Sequence, residues 1–221
     1  MFRSLAALLA LTLLLPGVAA AQLFESGDSG ARDLLPRADE IALARSAAPA
    51  AVSEAASVYV LTANGYELAA EGTSGIACYV SRAWLISLEP HCFDPEGTAT
   101  VMKIHMRRVE LLHAGVEVEA AGATVMGELL RGEHRLPRRP AMSWMQSSAQ
   151  QLVAPNGQPV GAWKPHVMIY YPFLSAGELG FGGESTTPAS AMISDGGTPL
   201  STLVVVVPDF VDPVVTAAGT P

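Results

Sequence analysis

The chain is poor in cysteine, in charge and in aromatic rings: its 221 residues hold two cysteines, 15% charged residues and 6% aromatics. Each scarcity excludes something. Two cysteines build neither the several bridges of a small disulfide scaffold nor a four-cysteine zinc site. Only 13 basic residues stand against 21 acidic ones, a balance that speaks against nucleic acid and anionic membrane surfaces as partners. No apolar run has the roughly 20 residues a membrane-spanning helix needs, and the burst Leu203 to Val207 is only strand-sized. A G-x-S-x-G elbow, H-E-x-x-H, a P-loop and a dinucleotide fingerprint are all missing, which removes the easily recognised enzyme classes.

What is present starts with the order of a cleavable export signal. Arg3 precedes an apolar run from Leu5 to Leu15, Pro16-Gly17 breaks it, and Ala19, Ala20 and Ala21 stand before Gln22. Cleavage is expected after Ala21. No cysteine follows at the place where a lipid anchor would attach, so a periplasmic or secreted protein without a membrane span is expected. Removing residues 1–21 takes away one basic residue and no acid, moving the net charge from −8 to −9. Residues 22–36 read as a flexible lead-in, 37–216 as one domain with a single core, and 217–221 as a tail. In an oxidising compartment Cys78 and Cys92 are expected to pair. The bridge would close a loop of about 15 residues, for which chain entropy gives about 3 kcal/mol. The alternative is a pair of free or metal-binding thiols, whose spacing fits no common zinc pattern.

Periodicity organises the rest. Ala38, Ile41, Ala42 and Arg45 recur at helical spacing, giving a short helix over 37–45 ended by Pro49, with a further turn through Glu54. Asn64-Gly65 marks a hairpin. Pairing Ala63 with Tyr66 puts Tyr59, Leu61, Tyr66 and Leu68 on a core face, and Thr62 and Glu67 on a wet one. A third strand runs from Gly75 to Val80. The charged, proline-containing segment Glu89 to Gly97 reads as a loop. Thr98 or Thr100 is the expected cap of a helix lined by Met102, Met106, Val109 and Leu112 and ended at Gly115; a second follows over Val118 to Leu130. Strands return at Ala141–Met145, Val167–Tyr171 and Thr202–Val207. The fold class is therefore α+β, an antiparallel or mixed sheet with an N-terminal hairpin, two central helices and C-terminal strands.

Chemistry-bearing residues are few. Cys78, Trp84 to Ser87, His91 and Cys92 resemble the strand and bridged histidine loop of trypsin-like proteases. Glu89 and Pro90, however, stand where that family needs small residues, and Ser194 to Pro199 has glycine where the nucleophile should follow the acid. Glu89, His91, Asp94 and Glu96 could hold a divalent cation, against the ordinary case of solvated loop acids. No other cofactor is expected. His166 opens an apolar strand and could serve as base or ligand, with Tyr170, Tyr171, Phe173, Trp144 and Trp163 as lining for a pocket. Seven basic residues between Lys103 and Arg139 read as a solvated face and linker in preference to an anion-binding patch.

Thr73-Ser74-Gly75, then Cys92-Phe93-Asp94-Pro95-Glu96-Gly97-Thr98, and finally Pro165-His166-Val167-Met168 with Tyr170 and Pro172 resemble an uncharacterised family of exported bacterial proteins. The resemblance spans about 39–208. It implies the disulfide and marks Asp94, Glu96 and His166, and it carries no activity. Three functions follow as expectations. The first is a non-catalytic exported domain binding a small molecule or envelope component near His166 and Tyr170. The second is a hydrolase using His166 with Asp94 or Glu96, and the third a metal-binding protein using Asp94, Glu96 and His91. Export itself is checked directly: chain purified from the periplasm or medium of an expressing bacterium should begin at Gln22 by intact mass, and a product retaining Met1 to Ala21 would refute the signal.

Overall fold

A computed structural model describes residues 34–82, 86–153, 158–181 and 191–214. The expected export signal, most of the expected lead-in, the expected tail and the Trp84-Leu85 pair lie outside the described residues. Helices α1 (Arg37–Arg45) and α2 (Ala50–Ser53) lead into strands β1 (Ser57–Thr62), β2 (Gly65–Ala70), β3 (Ala77–Ser81) and β4 (Ile86–Phe93). Helices α3 (Pro95–Ala99), α4 (Val101–His113) and α5 (Val118–Leu130) follow. The chain then forms β5 (Ala141–Met145), β6 (Gln151–Val153), β7 (Pro159–Gly161), β8 (His166–Tyr170), β9 (Ala191–Ser194) and β10 (Thr202–Val206). The strands make one mixed sheet in the order β2-β1-β3-β4-β5-β8-β10-β9, with β6 and β7 added beside β4. No helix among the described residues is long and apolar enough to cross a membrane. The architecture is α+β, as the element pattern implied.

The hairpin forms, two positions out of the expected register. Leu61 faces Tyr66 and Tyr59 faces Leu68, so the turn residues are Ala63 and Asn64. A two-residue slide preserves the faces: Tyr59, Leu61, Tyr66 and Leu68 still share one side. The expectation of one wet face fails for β1, because Val58 and Val60 on its other side are also buried. β3 then pairs in parallel with β1 through Ser57–Ala77 and Val58–Cys78. To arrive there the chain passes over the start of β1 at Gly72. A Cβ at that position would stand 2.3 Å from the Ala56 carbonyl carbon and the Ser57 nitrogen, so no side chain fits.

Glu89 to Gly97 is not a loop. Ile86–Phe93 is the longest strand and the centre of the sheet, with Val80 opposite Pro90 and Ser81 opposite Glu89. Pro90, which lacks a donor for a ladder, stands where β4 leaves β6 after Leu88–Gln151 and takes up β5 at Cys92–Trp144. The disulfide joins directly opposed residues, Cys78 on β3 and Cys92 on β4, and so staples two strands instead of pinning a loop. Thr100 is not a side-chain cap of α4 either: its hydroxyl donates to Glu96 O at 2.6 Å.

Each face of the sheet carries helices. On one, Leu43, Ala44, Ala47, Ala48 and Ala56 cover the disulfide with Val58, Val80 and Leu88. Helix α1 is turned from the face its spacing suggested: Ala38 is exposed, and Glu40, Leu43 and Ala44 point inward. The reason is electrostatic. Buried Glu40 accepts from Leu61 N and from Arg82 Nη1, each at 3.0 Å, and a buried charge must be paired in this way. On the opposite face, Val101, Met102 and Met106 of α4 pack on Ala77, Tyr79, Phe93, Ala141 and Tyr170. Ile104 meets Val125 and Leu129 of α5. Replacing both Cys78 and Cys92 with alanine should lower the unfolding free energy in urea by about 3 kcal/mol with the far-UV spectrum unchanged; an unaltered midpoint would show that the staple contributes nothing.

Candidate functional site

Residues facing one another across an antiparallel pair lie on the same side of the sheet, and following those pairs outward from β4 assembles a wall. His91 faces Tyr79, and Glu89 faces Ser81. Met145 of β5 faces His166 of β8. Across β10, Val206, Val204 and Thr202 face His166, Met168 and Tyr170. Met192 and Ser194 of β9 complete the row. Opposite this wall stand Ile104, His105 and Arg108 from α4 and Gly122, Val125 and Met126 from α5. Between them lies a cavity of about 830 Å³, within the span of roughly 300 to 1,000 Å³ usual for small-molecule sites.

One end of the cavity is a cluster of rings. His91 lies parallel to Phe93 with centroids 5.5 Å apart. The edge-on ring of His105 meets His91, Phe93 and Tyr170 at 6.0, 5.9 and 5.8 Å. Burial pushes the His91 imidazole well below its ordinary range, and the neighbouring His105 and His166 add to the effect. His105 is brought down to about 4 by burial and then by the Arg108 charge. Burial also lowers His166, opposed by its hydrogen bond to the backbone. All three rings are therefore neutral at pH 7. His166 Nδ1 donates to Lys164 O at 2.6 Å, so its proton sits there and Nε2 carries the lone pair. Tyr170, its phenol raised by burial, donates to Met168 Sδ at 3.6 Å.

The expected site residues divide. His166 and Tyr170 line the cavity, as does His91. Trp163 joins them, its indole Nε1 donating to Glu89 Oε1 at 2.9 Å, while Ser87 Oγ donates to Glu89 Oε2. Trp144 packs on the other face with the disulfide, and Tyr171 and Phe173 are exposed. Asp94 and Glu96 stand away from the cavity and have structural partners. Asp94 Oδ1 accepts from Gly97 N at 2.7 Å and Met142 N at 3.1 Å, capping α3 and tying it to β5. Gly97 is held close there, since a Cβ would lie 2.7 Å from the Phe93 ring. Buried Glu96 accepts from Arg138 N and pairs with Arg135 and Arg139. His166 is thus not partnered by Asp94 or Glu96. Among the described residues, no three His, Cys, Asp or Glu side chains converge as a ligand set, so Asp94, Glu96 and His91 are not assembled as one. The protease-like pieces are not joined either: His91 is in mid-strand, and Ser194 Oγ donates to Asp195 Oδ2 instead of to a histidine.

The basic cluster divides as well. Arg107 makes a two-pronged bond to Glu128, Arg131 meets Glu133, and Arg135 and Arg139 meet Glu96. These are helix and linker pairs on the solvent side. Arg108 alone turns to the cavity. Sequence reasoning passed over His105 entirely, although a histidine between Ile104 and Met106 interrupts the buried stripe of α4. That interruption was the available signal. Its helical neighbour Arg108, three residues on, shares its face.

Compared with known proteins, the chain matches no protein-family model, no curated protein and no solved structure. What the cavity can do follows from its residues. It offers apolar wall, neutral imidazoles and hydrogen-bond donors. The shifted imidazoles give a pH dependence of definite sign. The unfolded chain protonates near the ordinary histidine value of 6.5, whereas folded His105 does so only near 4, so protons favour unfolding. Stability should be full above about pH 6.5 and fall as the pH drops towards about 4, with His105 supplying on the order of 2 kcal/mol once its contact with the open cavity is allowed for. Urea unfolding of the parent and of His105→Gln across that range checks it. The variant should lose less, and equal slopes would mean that His105 titrates normally.

Proposed function

We propose that this chain is a non-catalytic exported domain that binds a small, largely apolar molecule in the cavity between the sheet and helices α4 and α5. The observation that carries the proposal is the cavity itself: about 830 Å³ bounded by Met126, Met145, Met168, Met192, Val204 and Val206, with polar side chains such as His91, His105 and Arg108 set among them. Ligand sites have this composition, an apolar body with a few placed polar groups. Four of the eight methionines border it, and the unbranched thioether adapts to irregular ligands. The resemblance to an exported family fits here, because Pro165-His166-x-Met168-x-Tyr170 contributes alternate residues to the wall. A buried disulfide and the export signal favour the periplasm or the medium as its place of work. The net negative charge favours a small molecule or envelope component over nucleic acid.

Nile red, a neutral dye that brightens in apolar surroundings, tests the proposal. It should bind at one site per chain. Val204→Trp, which fills the middle of the cavity from β10, should weaken uptake by at least about ten-fold, because the indole occupies space the dye needs. No uptake by the parent, or equal uptake by the variant, would refute the cavity as a binding site.

A further inference from the structure

Which ligand the cavity takes follows from which of its polar groups already have partners. Its acids do. Glu89 is held by Ser87 and Trp163, and Asp195 takes the Ser194 hydroxyl. Its donors are left over. Arg108 pairs with no carboxylate among the described residues, and its Nε, shielded from solvent, has no acceptor. His91, only 4% exposed, leaves Nδ1 without a partner. A buried guanidinium nitrogen without an acceptor is unfavourable, and the planar fork of arginine matches a carboxylate or phosphate. The unmet need of the cavity is thus for negative charge with acceptor oxygens, at the end where the rings of His91 and His105 gather. On the wall formed by β9 and β10, Met192, Val204, Val206 and Leu200 are apolar, and among the polar residues there Asp195 is itself an acid.

We propose that the ligand is an amphiphile with an anionic head and an apolar chain, the head bound by Arg108 beside His105 and the chain laid along β8, β10 and β9. The assignment rests on the cavity being a binding site. It adds the chemical class and gives Arg108 the role of recognising the head. The basic residues of 103–139 then serve two purposes: Arg107, Arg131, Arg135 and Arg139 hold helices and linker together, and Arg108 selects the ligand. Lys164, on the cavity rim, supplies a second positive charge that attracts the same head during entry.

Titration calorimetry with dodecanoate, dodecyl phosphate and dodecanol, all below their aggregation limits, tests the class. At least one anion should bind one per chain and about ten-fold or more tighter than the alcohol, the least that a charge-assisted bond to the Arg108 guanidinium gives. The tighter of the two anions assigns the head as carboxylate or phosphate. Arg108→Gln should bring anion and alcohol to within about two-fold, as expected when only neutral hydrogen bonding is left, while Arg108→Lys should keep the anion preferred. Equal binding of alcohol and anions by the parent overturns the inference, and so does a preference that survives Arg108→Gln in a variant that unfolds like the parent. Should the parent take up Nile red yet bind neither anion, this inference falls alone; failure of the dye as well would remove the cavity reading beneath it.

Discussion

The register of β3 against β4 decides the rest of the structure, and it is fixed by a covalent bond between directly opposed residues, Cys78 and Cys92. Side chains alternate along a strand, so a slip of β4 by one residue against β3 would exchange the faces of β4. Glu89 and His91 would then lie against the alanines of α1, and Leu88 and Cys92 would face α4. Hydrophobic patterning alone specifies this pair poorly, because Ser87, Glu89 and His91 occupy most of one face of β4 and proline stands within it. The disulfide supplies what the pattern lacks. From β4 the alternation is handed on through β5 to β8, β10 and β9, so a bond on one face of the sheet sets the residues that line the cavity on the other.

The two faces are packed for different purposes. Over the disulfide lie small residues, Ala44, Ala47, Ala48 and Ala56, none of them measurably exposed, which lets α1 and its following turn approach closely. On the other face, α4 seats Val101, Met102 and Met106 on the central strands and meets α5 through Ile104. That pairing covers β3, β4 and the near part of β8. Met192 and Val204 on the outer strands β9 and β10 are only partly buried, and the cavity opens there. It is the place where a helical layer anchored at the sheet centre stops short of the sheet edge.

Elements with one dominant period were legible in the sequence. Helix α5 occupies the expected residues, α4 shows the expected buried stripe, and β5 and β10 match to within one residue. Where chemistry interrupts the period, legibility ends. Strand β4 looked like a loop because Glu89 and His91 are polar yet buried, and Pro90 is a strand breaker; only the pairing shows that they face a cavity. The face of α1 was misjudged because Glu40 is drawn inward by Arg82, a partner 42 positions away. Strands β6, β7 and β9, of three or four residues, are too short to carry a pattern. Of the two motifs that stood out, Cys92-Phe93-Asp94-x-Glu96-Gly97 proves to be structural: bridge, core ring, helix cap, clamp and close approach. Pro165-His166-x-Met168-x-Tyr170 lines the cavity. Spacing alone does not separate these roles, because both place polar residues next to strand ends.

The features that destabilise this domain are the ones that make its cavity selective. A histidine pushed well below its ordinary range, a second near 4 and a guanidinium without a carboxylate are each less favourable folded than they would be in water. A chain selected only for stability would replace His91, His105 and Arg108 with apolar residues and close the space between α4 and the sheet. Their joint presence at one end of an otherwise apolar cavity has a physical rationale if a bound group offsets their desolvation, since a ligand that binds only the folded state returns its binding energy as stability. The same burial keeps the imidazoles neutral at pH 7, so that positive charge at this end is concentrated on Arg108. An anionic head then meets the Arg108 guanidinium beside neutral rings, and selectivity for charge comes from that contact, while the methionines and valines of the wall receive the apolar part.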